Sequence, residues 1–157
     1  MKKIFIGGTQ VRKLLICFAF LLSLHSWSDS YEDEAIKSAM KALDSFMETF
    51  NSQDMKSWSE TLNYPHVRFS GGNVKVWASK EEYASIDIFD RLKETGWHYS
   101  AWLSRDVILV SEKKVHISTV FQRYNKSNEP IEKYQSLYIV TREGGHWGVK
   151  ARSSLAP

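Results

Sequence analysis

The residues HVRFSGGNVKVW, positions 66–77, decide how this chain is read. His66-Val67-Arg68-Phe69-Ser70 alternates polar with apolar, Gly71-Gly72-Asn73 is a turn, and Val74-Lys75-Val76-Trp77 alternates again. A period of two on both sides of a glycine turn is the pattern of a β-hairpin. The residues before it keep a different period. Over 34–50, Ile36, Met40, Leu43, Met47 and Phe50 recur in steps of four and three. That spacing sets them in one stripe of a helix, with Lys37, Lys41, Asp44 and Glu48 largely outside it. Asn51 is read as the stop of this helix and the cap of the next, with Asp54 the acid near its N-terminus. In that short second helix Met55, Trp58 and Leu62 share a face, and Pro65 prevents continuation.

Downstream of the hairpin, Ser79 and Glu82 form a capping box for a third helix running to about Thr95 and stopped by Gly96. Its apolar face is Tyr83, Ile86, Phe89 and Leu92. Strands are expected over 97–110, with a bend at Ser104-Arg105-Asp106, and over 114–124, 134–142 and 146–153. Short turns between the last strands, Glu143-Gly144-Gly145 among them, make an antiparallel meander. The expected class is α+β: three N-terminal helices packed on a curved antiparallel sheet, forming a cone with an open end.

The chain has 157 residues and a formal net charge of +3, from 21 Lys+Arg against 18 Asp+Glu. Residues 1–28 hold Lys2, Lys3, Arg12 and Lys13 and no acid, so the remainder carries 17 bases and 18 acids, a net of −1. The basicity belongs to the leader. A basic start, an apolar run over 14–24 and small residues at Ser26 and Ser28 read as a secretory signal peptide over 1–28, cleaved after Ser28. The run is short of the ~20 residues that span a bilayer, so membrane contact is expected only through an uncleaved leader. Residues 29–157 form the domain, and a periplasmic or secreted bacterial location is expected. Cys17, the only cysteine, leaves with the leader, and stability must come from packing. A domain of net −1 without a basic stripe lacks the phosphate-neutralising surface that nucleic acid requires.

Several segments stand in a recognisable order: Phe46-Met47-Glu48-Thr49-Phe50-Asn51, then Asp54 and Trp58, then Tyr64-Pro65-His66-Val67-Arg68. Arg123-Tyr124-Asn125, Ser136-Leu137-Tyr138, His146-Trp147-Gly148-Val149 and Ala151-Arg152-Ser153-Ser154 follow. In that order and spacing the chain resembles the NTF2-like superfamily, its SnoaL-like and ketosteroid-isomerase-like group, over about residues 35–154. The resemblance implies a cone-shaped α+β domain with a pocket between sheet and helices, often dimeric through the sheet's outer face. Members include isomerases, cyclases, dehydratases, binding proteins and scaffolds, so the fold does not fix the function.

The isomerase-like members carry a general-base carboxylate on the strand after the second helix, which falls here at about Ser70 or Gly71. The segment 66–76 has no Asp or Glu, so isomerase chemistry of that kind is not expected. The Asp of a dehydratase-like Asp/His pair is missing too. His66 and Arg68 share one face of their strand. Turned inward, His66 could act as a base or hydrogen-bond donor and Arg68 could hold an anionic group. In the other reading Val67 and Phe69 face the core, and His66 and Arg68 meet solvent. Trp58, His66, Arg68 and Tyr99 are the candidate ligand contacts, and His66 is the candidate base. Arg152 is set on the face away from Trp147, Val149 and Ala151, and Arg123 on the face opposite Tyr124. Trp58, Trp77, Trp97 and Trp102 read as core, continuous with a pocket lining.

No metal-ligand spacing occurs among the histidines, and no cofactor is expected, since nucleophile-elbow, phosphate-loop and dinucleotide motifs are all lacking. The expectation is a small-molecule-binding domain taking an apolar or aromatic ligand, without isomerase-type catalysis. A SnoaL-like cyclase, hydratase or isomerase using His66 is the alternative from the enzyme class. A homodimeric protein-interaction module is the third.

Overall fold

The computed structural model of the chain describes the backbone of residues 10–156 and the side chains of residues 30–156. The basic start, Cys17 and the Ser28 cleavage position of the expected leader therefore lie outside the residues whose side chains are described. The first helix, α1, runs over Gln10–Asn51. Its buried stripe is Ala35, Ala39, Ala42, Leu43, Phe46 and Met47, and Ile36 and Met40 flank it. The stripe is thus rotated from the one the larger apolar residues suggest. Alanines on the contact line let the helix lie close to the sheet, and the longer side chains pack at its margins. Arg105 reaches back to the Met40 carbonyl at 3.2 Å and pairs with Asp44, fixing the helix to the third strand.

The short helix α2, Met55–Glu60, is capped by Asp54, which accepts from the N–H groups of Lys56 and Ser57. Asn51 does not cap it. Its amide donates to the Ser100 carbonyl at 2.8 Å and accepts from the Ser100 N–H at 2.9 Å. This residue clamps the end of α1 to the sheet instead.

The sheet contains β1 (Leu62–Ser70), β2 (Asn73–Trp77), β3 (Tyr99–Ser111), β4 (Lys114–Tyr124), β5 (Pro130–Glu143) and β6 (His146–Ser154). Their order is β2-β1-β6-β5-β4-β3. Every pair is antiparallel except β1–β6, which is parallel. The sheet is thus antiparallel in the main rather than throughout, because the hairpin returns to pair with the last strand. Register shifts between Trp102 and Ser104 and between Val107 and Leu109 flank the expected bend, and such bulges increase the curvature of a sheet.

The third expected helix is two short ones, α3 (Lys80–Ala84) and α4 (Phe89–Glu94). Ser79 accepts from Glu82 N–H at 3.3 Å, and the Glu82 carboxylate accepts from Ala78 N–H at 2.7 Å, so the capping box forms one residue early on its return arm. The break falls in Ser85-Ile86-Asp87-Ile88, where β-branched and backbone-competing side chains weaken a helix. Tyr83, Phe89 and Leu92 are nevertheless buried. Both helices lie between β2 and β3, so only α1 and α2 precede the strands.

The core joins Leu43, Phe46, Trp58, Tyr83, Ile117, Tyr138, Val140 and Val149. The result is an α+β fold with a curved, unclosed sheet whose inner face meets the helices. Among the described residues no helix is long and apolar enough to cross a membrane.

Candidate functional site

Strand parity decides what faces the helices. On β1 the inner side chains are His66, Arg68 and Ser70, while Phe69 on the alternate face is exposed. The polar face of this strand is the inward one. Arg68 is the register partner of Arg152 across the parallel β1–β6 pair, and Arg152 is the partner of Tyr138 on β5. One step along, Ser70, Ser154, Ser136 and Thr119 form a continuous row across four strands. Ser136 Oγ donates to Ser154 Oγ at 2.9 Å, and Ser70 Oγ donates to the Ala156 carbonyl at 3.0 Å.

A cavity of about 470 Å³ lies over this face. Phe46 and Phe50 of α1, Ile88 and Leu92 beside and in α4, Phe121 of β4 and Tyr138 of β5 supply its apolar wall. Its charged lining is Arg68, Arg123 and Arg152, with the exposed Lys75 and Arg91 toward solvent. Among the described residues none of the lining is Asp or Glu. Ser70 and Gly71, at the position of the missing general base, both line it.

The arginines are held under strain of charge. Arg152 is 9% exposed and Arg123 8%. The Arg152 guanidinium lies 5.4 Å from the Phe46 ring centroid and 5.6 Å from that of Trp58, and it donates to Tyr83 Oη at 3.5 Å. The Arg123 guanidinium lies 4.8 Å from the Tyr134 centroid. Among the described residues neither forms an ion pair, and the Nε of each has no hydrogen-bond partner. Burying a cation without an anionic partner costs several kcal/mol. Burial, and then Arg152, push Arg68 down to about 10. Burial also lowers Arg123, while Tyr134 and Glu132, the register partner of Arg123, favour its charge and Arg152 opposes it. For Arg152 burial opposes the charge, but Tyr83 and Tyr138 outweigh it and hold the pKa up.

Of the four expected ligand contacts, Arg68 lines the cavity and the other three do not. Trp58 is buried behind the wall, its ring 5.4 Å from Phe46, 4.9 Å from Phe50 and 5.1 Å from Tyr83, with the Arg152 guanidinium 5.6 Å from its centroid. Tyr99 lies on the other face, because its neighbour Ser100 points inward. It stacks on Tyr124 at 4.8 Å with 9° between the planes. His66 is 0% exposed, stacked 5.8 Å from Trp77 and edge-on to Tyr83 at 5.5 Å. Its Nδ1 is 3.0 Å from the Val149 carbonyl and its Nε2 has no partner. Burial, and then Arg152, push its pKa down to about 3. It is a neutral core imidazole, not a group that faces the cavity.

Sequence reasoning placed Arg152 away from Val149, and the structure corrects this. The β5–β6 pairing slips between Ile139 and Val140, so that Val149 pairs with Val140 and Arg152 with Tyr138. The extra residue, Lys150, reverses the parity, and Arg152 turns to the same inner face as the fully buried Val149. Arg123 follows plain alternation with Thr119 and Phe121, all three buried. Among the described residues no group of His, Cys, Asp and Glu could hold a metal ion.

The family described as NTF2-like protein (DUF6841) matches residues 33–155. No curated protein matches the chain. An NTF2-like protein with a cystatin-like fold from Novosphingobium aromaticivorans is similar with a TM-score of 0.63 and 11% identity, covering 95% of this chain and 91% of that one. A ketosteroid isomerase-like protein from Erwinia carotovora atroseptica is similar with a TM-score of 0.58 and 20% identity, over 79% of this chain and 98% of that one. A protein of unknown function from Nostoc punctiforme has a TM-score of 0.61 and 12% identity, over 75% and 87%. At these identities the likeness is one of fold. The chain belongs to the NTF2-like family DUF6841.

Proposed function

We propose that this NTF2-like chain is an exported small-molecule-binding domain without isomerase-type catalysis. The observation that carries the reading is the cavity of about 470 Å³ in which Ser70 and Gly71 stand where a general base would be, with no carboxylate among the described lining residues. A volume of that size suits a small organic ligand. Its wall is apolar and aromatic, and its polar groups converge on the inner face of β1, β4 and β6. The enzyme alternative gains nothing from His66, whose ring is packed against Trp77 and Tyr83. Export rests on the leader, with a periplasmic or secreted location and no nucleic-acid partner for a domain of net −1.

A second reading, association of two copies through the outer face, is favoured by one observation. Phe69 and Val74 are exposed register partners on the β1–β2 hairpin, and Val76 is exposed beside them. Sedimentation of the full-length chain tests it: a dimer that Phe69→Lys dissociates supports it, and a monomer at every concentration contradicts it.

The cavity reading is tested by expressing the chain with its leader, recovering the periplasmic fraction and recording native mass spectra. A bound small molecule, or uptake of one aromatic compound per chain, is the expected result. Retention of the chain in the cytosol would overturn export. Failure to take up any small aromatic compound would overturn the binding function.

A further inference from the structure

Resting on the reading of this cavity as a ligand site, we propose that its ligand is an amphiphilic anion, a small aromatic or aliphatic molecule bearing one carboxylate, sulfate or phosphate group. The anionic group is received by Arg152, Arg123 and Arg68, and the apolar body lies against Phe46, Phe50 and Phe121.

Three observations carry this. Among the described residues the cavity lining holds five cationic side chains, Arg68, Lys75, Arg91, Arg123 and Arg152, and no acidic one. A binding site for a neutral apolar ligand has no use for such an excess, since each buried charge costs free energy that the ligand would not return. Second, Arg123 and Arg152 are more than nine-tenths buried, yet neither has an ion-pair partner among the described residues, and the Nε of each lacks a hydrogen bond. Their partners within the protein are the phenols Tyr83 and Tyr138 for Arg152 and Tyr134 for Arg123, neutral groups that leave each buried guanidinium without an ion pair for an incoming anion to supply. Planar guanidinium forks match the oxygens of carboxylate and phosphate, which is why arginine is chosen for such recognition. Third, the charges oppose one another. Arg68 and Arg152 are adjacent in the β1–β6 register, and each of Arg68 and Arg123 is disfavoured by the charge of Arg152. An anion entering the cavity replaces that repulsion with attraction in a medium of low dielectric.

The rest of the lining suits the other end of such a molecule. Phe46, Phe50, Phe121, Ile88 and Leu92 offer apolar contact, while Lys75 and Arg91 at the exposed margin attract an anion toward the opening. The hydroxyl row of Ser70, Ser154 and Ser136 is already bonded within the protein. Arg123 and Arg152 each keep an Nε donor without a hydrogen bond.

The test is isothermal titration of the full-length chain with a matched pair, 2-naphthoate and 2-naphthamide, which differ in charge and not in body. The expected result is at least tenfold tighter binding of 2-naphthoate, weakening as salt rises, with the preference lost in Arg152→Met. Should Arg152→Met fail to fold, Arg123→Met reads the same preference and must reduce it. Equal affinities for the two compounds overturn the anionic ligand and leave the cavity reading standing. Binding of neither overturns both. A preference for 2-naphthoate that persists in both variants moves the charge recognition away from these arginines and overturns the inference.

Discussion

Arg68 and Arg152 are register partners across the parallel β1–β6 pair and turn into one cavity, so two cations meet on adjacent strands. Like charges buried on neighbouring strands cost stability, which makes the ligand-free protein informative.

Arg123→Met is expected to leave the unliganded chain at least as stable as the native one, with a gain of about 1 kcal/mol, because an unpaired buried cation is replaced by an apolar side chain of similar length. Arg123 has no ion-pair partner among the described residues, and its loss relieves Arg152 and Arg68. Thermal melting in ligand-free buffer checks it. A fall of several degrees would mean that the stack on Tyr134 is worth more than the desolvation it accompanies.

His66 predicts a pH dependence of stability. Its pKa in the folded chain, pushed down to about 3, lies below the ordinary value of 6.5. Between those limits the unfolded chain binds a proton that the folded chain refuses. Stability from this group is therefore complete above pH 6.5 and lost as pH falls toward 3. Between pH 7.5 and 4.5 the loss is about 2–3 kcal/mol. His66→Phe, which keeps a ring against Trp77 and Tyr83, should flatten that slope in urea titrations. An unchanged slope would assign the acid sensitivity to other groups.

Asn51 ties α1 to β3 by two hydrogen bonds to the backbone of Ser100, a residue that lines the cavity. Asn51→Ala leaves a buried N–H and C=O without partners and is expected to cost about 1–3 kcal/mol. Denaturant unfolding measures it.

Gly148 sits where a Cβ would lie 3.0 Å from the Leu62 backbone carbon and 3.0 Å from the Thr61 carbonyl oxygen. Those atoms belong to the segment that docks β6 beside β1, through Val149 N–H to Thr61 O at 3.0 Å. Gly148→Ala should lower stability by about 1–3 kcal/mol through backbone displacement. A neutral melting temperature would show that the segment can yield.

The element order was legible in the sequence because it depends on local signals: the period change at His66, the turns at Gly71-Gly72 and Gly144-Gly145, and the Ser79 cap. The site was only half legible. Alternation set His66 and Arg68 on one face without saying which face was inward, since Val67 and Phe69 on the other were the apolar pair. The answer came from the parallel pairing with β6, a contact between residues more than eighty positions apart. Tyr99 was misplaced by a single step of parity. Arg152 was misplaced by the bulge at Lys150, which no local pattern announces. The lack of acids over 66–76 was legible on β1, while the same lack along β4 and β6 gained meaning only once those strands were seen to share its inner face.

The most direct measurement is a crystal structure of the full-length chain with 6-bromo-2-naphthoate, read from the anomalous signal of bromine. The account predicts bromine inside the cavity against the apolar wall and the carboxylate within hydrogen-bond reach of Arg152 or Arg123. A bromine signal found only outside the cavity, or a carboxylate turned away from both arginines, would contradict it.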